Sequence, residues 1–480
     1  MALFGIQVVL TIIIAMFLHK ISPNMSLATW ILCSGLRRYL YPTDEELKKL
    51  VGKSQHTKSN KSRRSDTRKN AANGETGKAR KVVEPFTIPC NTNLQLKSVQ
   101  IKDTDLLFQY YYPEYKWLVD FALSAVIFNI VVETIAYFFP KILRNDISVA
   151  PLWNFLVIFF CLRILYLLTS AYWSGEDSGE KSVCITFGVF FFVLAMAILV
   201  VDESILEFNL DSGYEIFSEE AVLFLKKQGI SKEGGAAPIW IFKLILAIMS
   251  GFLGAFLGFP GIRMSSMFVD SLEKFHSNRL LVVLLYINFF APLFLTLLWI
   301  RPLFREYVTG RNSGNIYTIS DSTFDHLRIA VILLCCSVRF LLTRIHLQVF
   351  LDVAKRSVVR MKKEAGRISN ITLQKKIASI FYYLTAASLQ YLTPVVLLVF
   401  FTITLRTAGT TDWDSTNVLM KRLQKSMLVT NVTVNAVQNL RHVFVSELVR
   451  AVTSYLTWWT CLAMFMTSAF GVVYRQVLNV

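Results

Sequence analysis

From Pro238 to Pro260 the chain reads PIWIFKLILAIMSGFLGAFLGFP, with a single charge, Lys243. A helix needs about 20 apolar residues to cross the hydrocarbon core of a bilayer. A helix also satisfies its backbone polar groups from within one segment. The stretch is therefore read as a membrane span. Ser250, Gly254 and Gly258 recur every four residues, with Ala247, Gly251 and Ala255 one position on. Small residues at that spacing let two helix backbones approach closely, either inside one molecule or between two copies. Pro260-Gly261 is expected to end the helix. Met264, Met267, Phe268, Leu272 and Phe275 follow at helical spacing, the pattern of a short helix lying in the membrane interface.

The same kind of block recurs along the chain. Nine candidates are found, at 2–18, 117–139, 150–171, 182–201, 238–259, 280–300, 327–351, 377–405 and 451–474. Trp117, Tyr172, Trp173, Trp240, Trp299, Trp458, Trp459 and Tyr474 sit in or beside them, and such rings favour the headgroup level. The 480 residues are 54% hydrophobic and 17% charged, against about 25% charged in soluble domains. A water-soluble enzyme is excluded first. The fold class is all-α, a polytopic transmembrane helical bundle of about nine spans. Three regions are distinguished: 1–41, a first span with its juxtamembrane segment; 42–105, a basic linker poor in aromatics and expected to be largely disordered; and 106–480, the multi-span bundle.

The formal net charge of +17 bears on orientation. Between Lys48 and Lys81 there are twelve basic and two acidic residues, and between Lys355 and Lys376 eight basic and one acidic. Six spans separate these segments, so they share a side, which the positive-inside rule makes the cytosol. That favours a retained first span, an outer amino terminus and a cytosolic carboxyl terminus over a cleaved signal ending at Ser26-Leu27-Ala28. The basic linker is expected either to meet anionic lipid headgroups or to act as a solvated tether. Of the sequons at Asn24, Asn60, Asn370 and Asn431, only Asn431 is expected to be usable for glycosylation.

Ionisable groups inside spans are costly and are functional candidates by default. They are Asp120 and Glu133 in the second block, Arg163 in the third, and Arg339, Arg344 and His346 in the seventh. Asn129 and Glu133, four apart, share a helix face, as do Arg339 and His346, seven apart. An unpaired charge at mid-depth costs about 2.5–3.5 kcal/mol on insertion scales. Glu133 is therefore expected to pair with Arg339 or, second, Arg163. These groups form either an ion or proton pathway or a structural ion pair.

Glu203, Glu207, Asp211, Glu215 and Glu219 recur every four residues. Like charges at that spacing destabilise a helix, so either an irregular acidic loop or a cation-binding segment is expected, followed by a short helix capped by Ser218 and stopped at Gly229. The segment lacks the alternate acidic positions of a calcium loop. Gly175-Glu-Asp-Ser-Gly-Glu-Lys-Ser182 has the wrong spacing for a phosphate loop. The six histidines form no H-E-x-x-H pair, and no G-x-S-x-G elbow is present. The seven cysteines form no C-x-x-C pair, which points to no disulfide framework or zinc site. No catalytic residue, cofactor or metal ligand is assigned, and the protein is expected not to be an enzyme.

Several strings resemble one family. They are Gly5-Ile-Gln7, Tyr112-Pro-Glu-Tyr-Lys-Trp-Leu-Val-Asp-Phe121, Ser182-Val-Cys-Ile-Thr-Phe-Gly188, Phe259-Pro-Gly-Ile-Arg263, Met361-Lys-Lys-Glu-Ala-Gly-Arg-Ile-Ser369 and Leu456-Thr-Trp-Trp459. Together they are similar to the transmembrane protein 161 family. The linker near 50–80 and the loop near 406–450 match least. The resemblance implies a polytopic protein associated with ion handling, chiefly calcium and potassium, and with stress responses, and it supplies no catalytic residues. The expectation is a non-enzymatic protein of the endoplasmic reticulum or plasma membrane that modulates ion homeostasis and membrane excitability. Its partners would be the lipid bilayer, anionic headgroups at the linker, and ion channels or transporters, with no nucleic acid. The alternative is a transporter or channel whose path is lined by the intramembrane charges.

Overall fold

A computed structural model describes residues 6–21, 26–50, 86–89, 96–139, 148–175, 178–227, 237–308, 320–364, 367–410 and 446–478. The chain opens with α1 (Ile6–Ile21), α2 (Leu27–Cys33) and α3 (Asp44–Leu50). The bundle follows as α4 (Tyr112–Phe138), α5 (Ala150–Trp173), α6 (Ser178–Leu199), α7 (Leu210–Lys227), α8 (Ile239–Phe275), α9 (Arg279–Leu297), α10 (Asp321–Leu341), α11 (Thr343–Glu364), α12 (Asn370–Tyr382), α13 (Leu384–Thr410) and α14 (Ser446–Leu478). Among the described residues eight helical stretches are long and apolar enough to cross a membrane, with α10–α11 and α12–α13 each counting once. The first sequence block, 2–18, becomes α1, whose 16 residues rise only about 24 Å. It packs on α4 and is tied to the start of α5, Gln7 accepting from the Val149 amide at 2.8 Å and Trp153 Nε1 donating to Thr11 at 3.4 Å.

Apolar packing positions the rest. The α13 stretch is the most enclosed of the eight and lies against α5, α10 and α14. Its neighbour α8 is clamped between α6 and α14. Gly254 and Gly258 face the rings of Phe191 and Phe187 on α6. Ser250 Oγ lies 3.0 Å from Tyr455 Oη on α14, and Trp459 Nε1 donates to the Ser250 carbonyl at 3.0 Å. The three small residues thus serve contacts within the molecule.

The expected break at Pro260-Gly261 does not occur. α8 runs unbroken for 37 residues, with Pro260 inside it and Met264, Met267 and Phe268 buried rather than lying in an interface. The small-residue stripe explains this, because it continues past the proline: Gly261 meets Thr467, and Gly471 of α14 meets Ser265 and Ile262. Packing of that kind outweighs one lost amide donor, which membrane helices tolerate.

The acidic segment is also more ordered than its spacing predicts. α7 begins at Leu210 and passes through Gly213 and Ser218. The first three carboxylates of the repeat have partners rather than being left to repel. Glu203 accepts from the Asp211 amide at 2.6 Å and from Ser212 at 3.0 Å, acting at the helix start. Glu207 pairs with Arg305, and Asp211 with Lys243 at 2.6 Å.

Residues flanking the first basic region meet the second in a small cap at one end of the bundle. Strand β1 (Arg37–Tyr39) pairs antiparallel with β3 (Ser98–Gln100), and β2 (Thr87–Pro89) with β4 (Arg367–Ser369). Beneath them Leu47, Ala354, Val358, Leu373 and Ile377 form a separate core. Asn370 is buried there, donating to Asp44 at 3.0 Å and accepting from the Phe86 amide at 3.2 Å. Most of the expected disordered linker, including Asn60, lies outside the described residues, as do Asn24 and Asn431.

Candidate functional site

A large cavity opens at the capped end. It measures about 1250 Å³ and lies between the ends of α5 and α8 and the helices α11, α12 and α13. Its lining is mixed because two kinds of helix meet there. α11 is two-faced: Leu347, Leu351, Ala354 and Val358 are buried, while Lys355 and Arg360 are exposed. α5 and α13 are membrane helices that place Leu167, Leu168, Ala386 and Gln390 on the wall. The cavity carries three cations, Arg263, Arg360 and Lys376, and one carboxylate, Glu180.

At one wall Tyr172 Oη accepts from Arg263 Nη2 at 3.2 Å and from Gln390 Nε2 at 3.0 Å. The Tyr172 ring stacks on Phe259, and the Arg263 guanidinium lies 5.3 Å from the Phe350 ring centre. Gln390 is only 2% exposed, and its Oε1 has no hydrogen-bond partner among the described residues. A buried acceptor left open is uncommon. The wall is thus held in place by its donors while one acceptor remains available.

The charges expected to gather at mid-depth do not gather. Glu133 pairs with Arg406 of α13 at 3.1 Å, not with Arg339 or Arg163, and both partners are about 40% exposed. The register of α13 decides this, and the spacing within any single block does not encode it. Asp120 is buried and accepts from the Ser26 hydroxyl at 2.7 and 2.9 Å and from the Ala28 amide at 3.4 Å, tying α2 to α4. Arg344 lies over the Trp30 ring at 4.0 Å.

Arg339 and His346 do share a neighbour, Tyr391. The Tyr391 hydroxyl donates to the Arg339 carbonyl at 2.8 Å and lies 3.5 Å from His346 Nδ1. The Arg339 guanidinium sits 5.7 Å from the Tyr391 ring centre. The void beside Arg339 is about 20 Å³, room for a single water molecule.

Arg163 stands apart. It is exposed, two residues past the centre of α5, and no ion pair or hydrogen bond joins it to another described residue. Exposed Leu156, Phe159 and Tyr166 lie along the same face.

Two ion networks were missed by sequence reasoning. At the capped end Asp270 of α8 receives Arg356 of α11 and Arg475 of α14, the latter at 2.6 Å. Asp352 receives Lys274 at 2.5 Å and the Tyr39 hydroxyl at 2.7 Å. The signal was present: Asp270/Lys274 and Asp352/Arg356 are both acid–base pairs four residues apart, and they exchange partners between helices. At the other end Asp325 collects Arg328 at 3.1 Å, Arg450 at 3.3 Å and Arg305 at 3.8 Å. Arg328 sits 4.9 Å from the buried Trp299 ring centre. Outside the bundle, burial and then a 2.9 Å hydrogen bond to Asp103 push the Cys33 thiol up to about 12. Among the described residues no cluster of His, Cys, Asp or Glu could hold a metal ion.

A family model described as "Predicted transmembrane protein 161AB" matches residues 2–479. No solved structure matches the chain.

Proposed function

The chain belongs to the predicted transmembrane protein 161AB family, and from that premise we propose that it is a non-enzymatic protein that modulates ion homeostasis by contacting channels or transporters inside the membrane. The activity covers calcium or potassium handling and membrane excitability, with stress responses as a consequence, in the endoplasmic reticulum or the plasma membrane.

The observation that carries this reading is Arg163. A mid-depth arginine facing outward costs about 2.5–3.5 kcal/mol on insertion scales. Helical side chains lean toward the helix amino terminus, which for Arg163 is the farther end, thirteen residues or about 20 Å away. A neighbouring helix with a carboxylate at the same depth removes that cost. The single-water void at Arg339 adds support, because a hydrated ion has no room there. The cavity at the capped end favours a second reading, a transporter open to one side.

Two measurements test the reading. Purified protein in proteoliposomes is expected to pass no calcium or potassium above empty vesicles, and measured flux would favour the transporter. In cells depleted of the chain, wild type is expected to restore calcium and potassium currents while Arg163→Leu, at equal expression, does not. Full restoration by Arg163→Leu would remove the helix-contact argument.

A further inference from the structure

We propose that the cavity at the capped end is a binding site for the headgroup of a phosphorylated inositol lipid.

Three independent features of the lining converge on that chemistry. The first is charge. Arg263, Arg360 and Lys376 outnumber Glu180 on the wall, and among the described residues none of the three is taken up by an ion pair. Arg360 and Lys376 are exposed to the cavity and its mouth. Guanidinium and ammonium groups so placed favour phosphate over a carboxylate or a neutral sugar, because phosphate offers more charge and more acceptor oxygens.

The second feature is Gln390. Its amide nitrogen is committed to Tyr172, and Oε1 lies buried in the cavity wall with no hydrogen-bond partner among the described residues. Phosphate oxygens cannot satisfy an acceptor. A ligand that satisfies both the cations and Gln390 must carry phosphate and a hydroxyl or N–H donor in one head. The ring hydroxyls of inositol supply that donor, and an open acceptor in a buried site discriminates against analogues that lack one.

The third feature is the way in. Leu167 faces outward on α5, 37% exposed, and also lines the cavity. The space therefore reaches the surface of a membrane helix, at the level where Tyr172 and Trp173 end that helix. Interfacial rings mark the headgroup level. A head attached to acyl chains can enter sideways with its tails left in the bilayer. Phosphate and inositol chemistry can also arrive as a soluble inositol phosphate, and this side opening is what favours the lipid.

The site is distinct from the basic linker of residues 42–105, whose attraction to anionic lipid would be diffuse and non-stoichiometric. It is also independent of Arg163 and of whether the protein modulates or transports, so its failure leaves the proposed function standing.

The test uses full-length, delipidated protein in detergent, with the linker intact. The probe is dioctanoyl phosphatidylinositol bisphosphate, titrated by calorimetry. The expected result is saturable binding near one lipid per chain, weakened tenfold or more in Arg360→Ala/Lys376→Ala. Gln390→Leu is expected to weaken the inositol lipid several-fold while leaving dioctanoyl phosphatidate unchanged. Inositol trisphosphate, which has the head without tails, is expected to bind at least tenfold more weakly. Folding of each variant is checked by size-exclusion profile; the two surface cations can be removed without touching the core. Wild-type affinity in the double variant would overturn the site. Equal affinity for inositol trisphosphate would overturn the lipid as its source. Equal loss of both lipids in Gln390→Leu would overturn the hydroxyl assignment.

Discussion

Adding one methyl group at Gly254 is the sharpest test of how α8 is held. A Cβ built there falls inside the Phe191 side chain, against its ring atoms and 2.5 Å from its Cβ. Phe191 cannot swing away, since it is fully buried and its ring packs edge-on to Trp459 at 5.9 Å. Overpacking of this kind costs about 1–3 kcal/mol, set against a helix-propensity gain of about 1 kcal/mol for glycine to alanine. Gly188 on the facing helix is the matched control, because its added Cβ would meet Ala255 at an ordinary 3.6 Å. There the propensity gain stands nearly alone. Gly258→Ala and Gly251→Ala fall between, with contacts of 2.9 and 3.0 Å. The expected order of stability is Gly188→Ala at or above wild type, then Gly251→Ala, Gly258→Ala and Gly254→Ala. The extremes should be separated by the overpacking cost alone, roughly 1–3 kcal/mol, since the propensity gain is common to both. Heating detergent-solubilised protein and following the monodisperse fraction by fluorescence size exclusion gives that order. Adding Phe191→Leu to Gly254→Ala should recover part of the loss. Equal melting of Gly254→Ala and Gly188→Ala would show that α8 and α6 do not pack as described.

Two further expectations concern charge. A double-mutant cycle between Glu133→Gln and Arg406→Gln should give a coupling of about 0.5–1.5 kcal/mol, the range for polar pairs between membrane helices, while Glu133→Gln with Arg339→Gln should be additive; coupling in the second cycle alone would restore the pairing expected from sequence. For Cys33, a thiol raised to about 12 leaves only about one thiolate in 10⁴ at pH 8, against roughly a quarter at the ordinary 8.5. In a variant retaining only that cysteine, alkylation at pH 8 should be at least a hundredfold slower than for free cysteine and rise about tenfold per pH unit to pH 10. Asp103→Asn should speed it, and labelling at the free-thiol rate would refute the burial.

The spans were legible because membrane insertion is dictated by local hydropathy, and 238–260 or 150–171 carry that signal without help from the rest of the chain. Pro260 shows where local rules stop. A proline in isolation ends a helix, but Gly261 and Gly471 create a contact that no window around residue 260 contains. The acidic repeat fails for the same reason: repulsion along one segment is a local quantity, whereas Arg305 and Lys243, which pair with Glu207 and Asp211, arrive from the turn after α9 and from α8. Glu133 found Arg406 from a helix more than 250 residues away. The cavity was invisible for a related cause, since Arg263, Arg360, Lys376 and Gln390 come from four helices and none is unusual where it stands.

The pairing of Thr87–Pro89 with Arg367–Ser369 also sets a schedule for biogenesis. The second strand leaves the ribosome roughly 280 residues after the first, or roughly 15–55 s later at 5–20 residues per second. Six of the spanning segments are made in between. Throughout that interval the early strand has no native mate and must be kept from pairing with the wrong one. A chaperone requirement confined to this window, or a truncation before residue 367 that is cleared by quality control despite inserting correctly, is the behaviour such a late closure imposes on the cell.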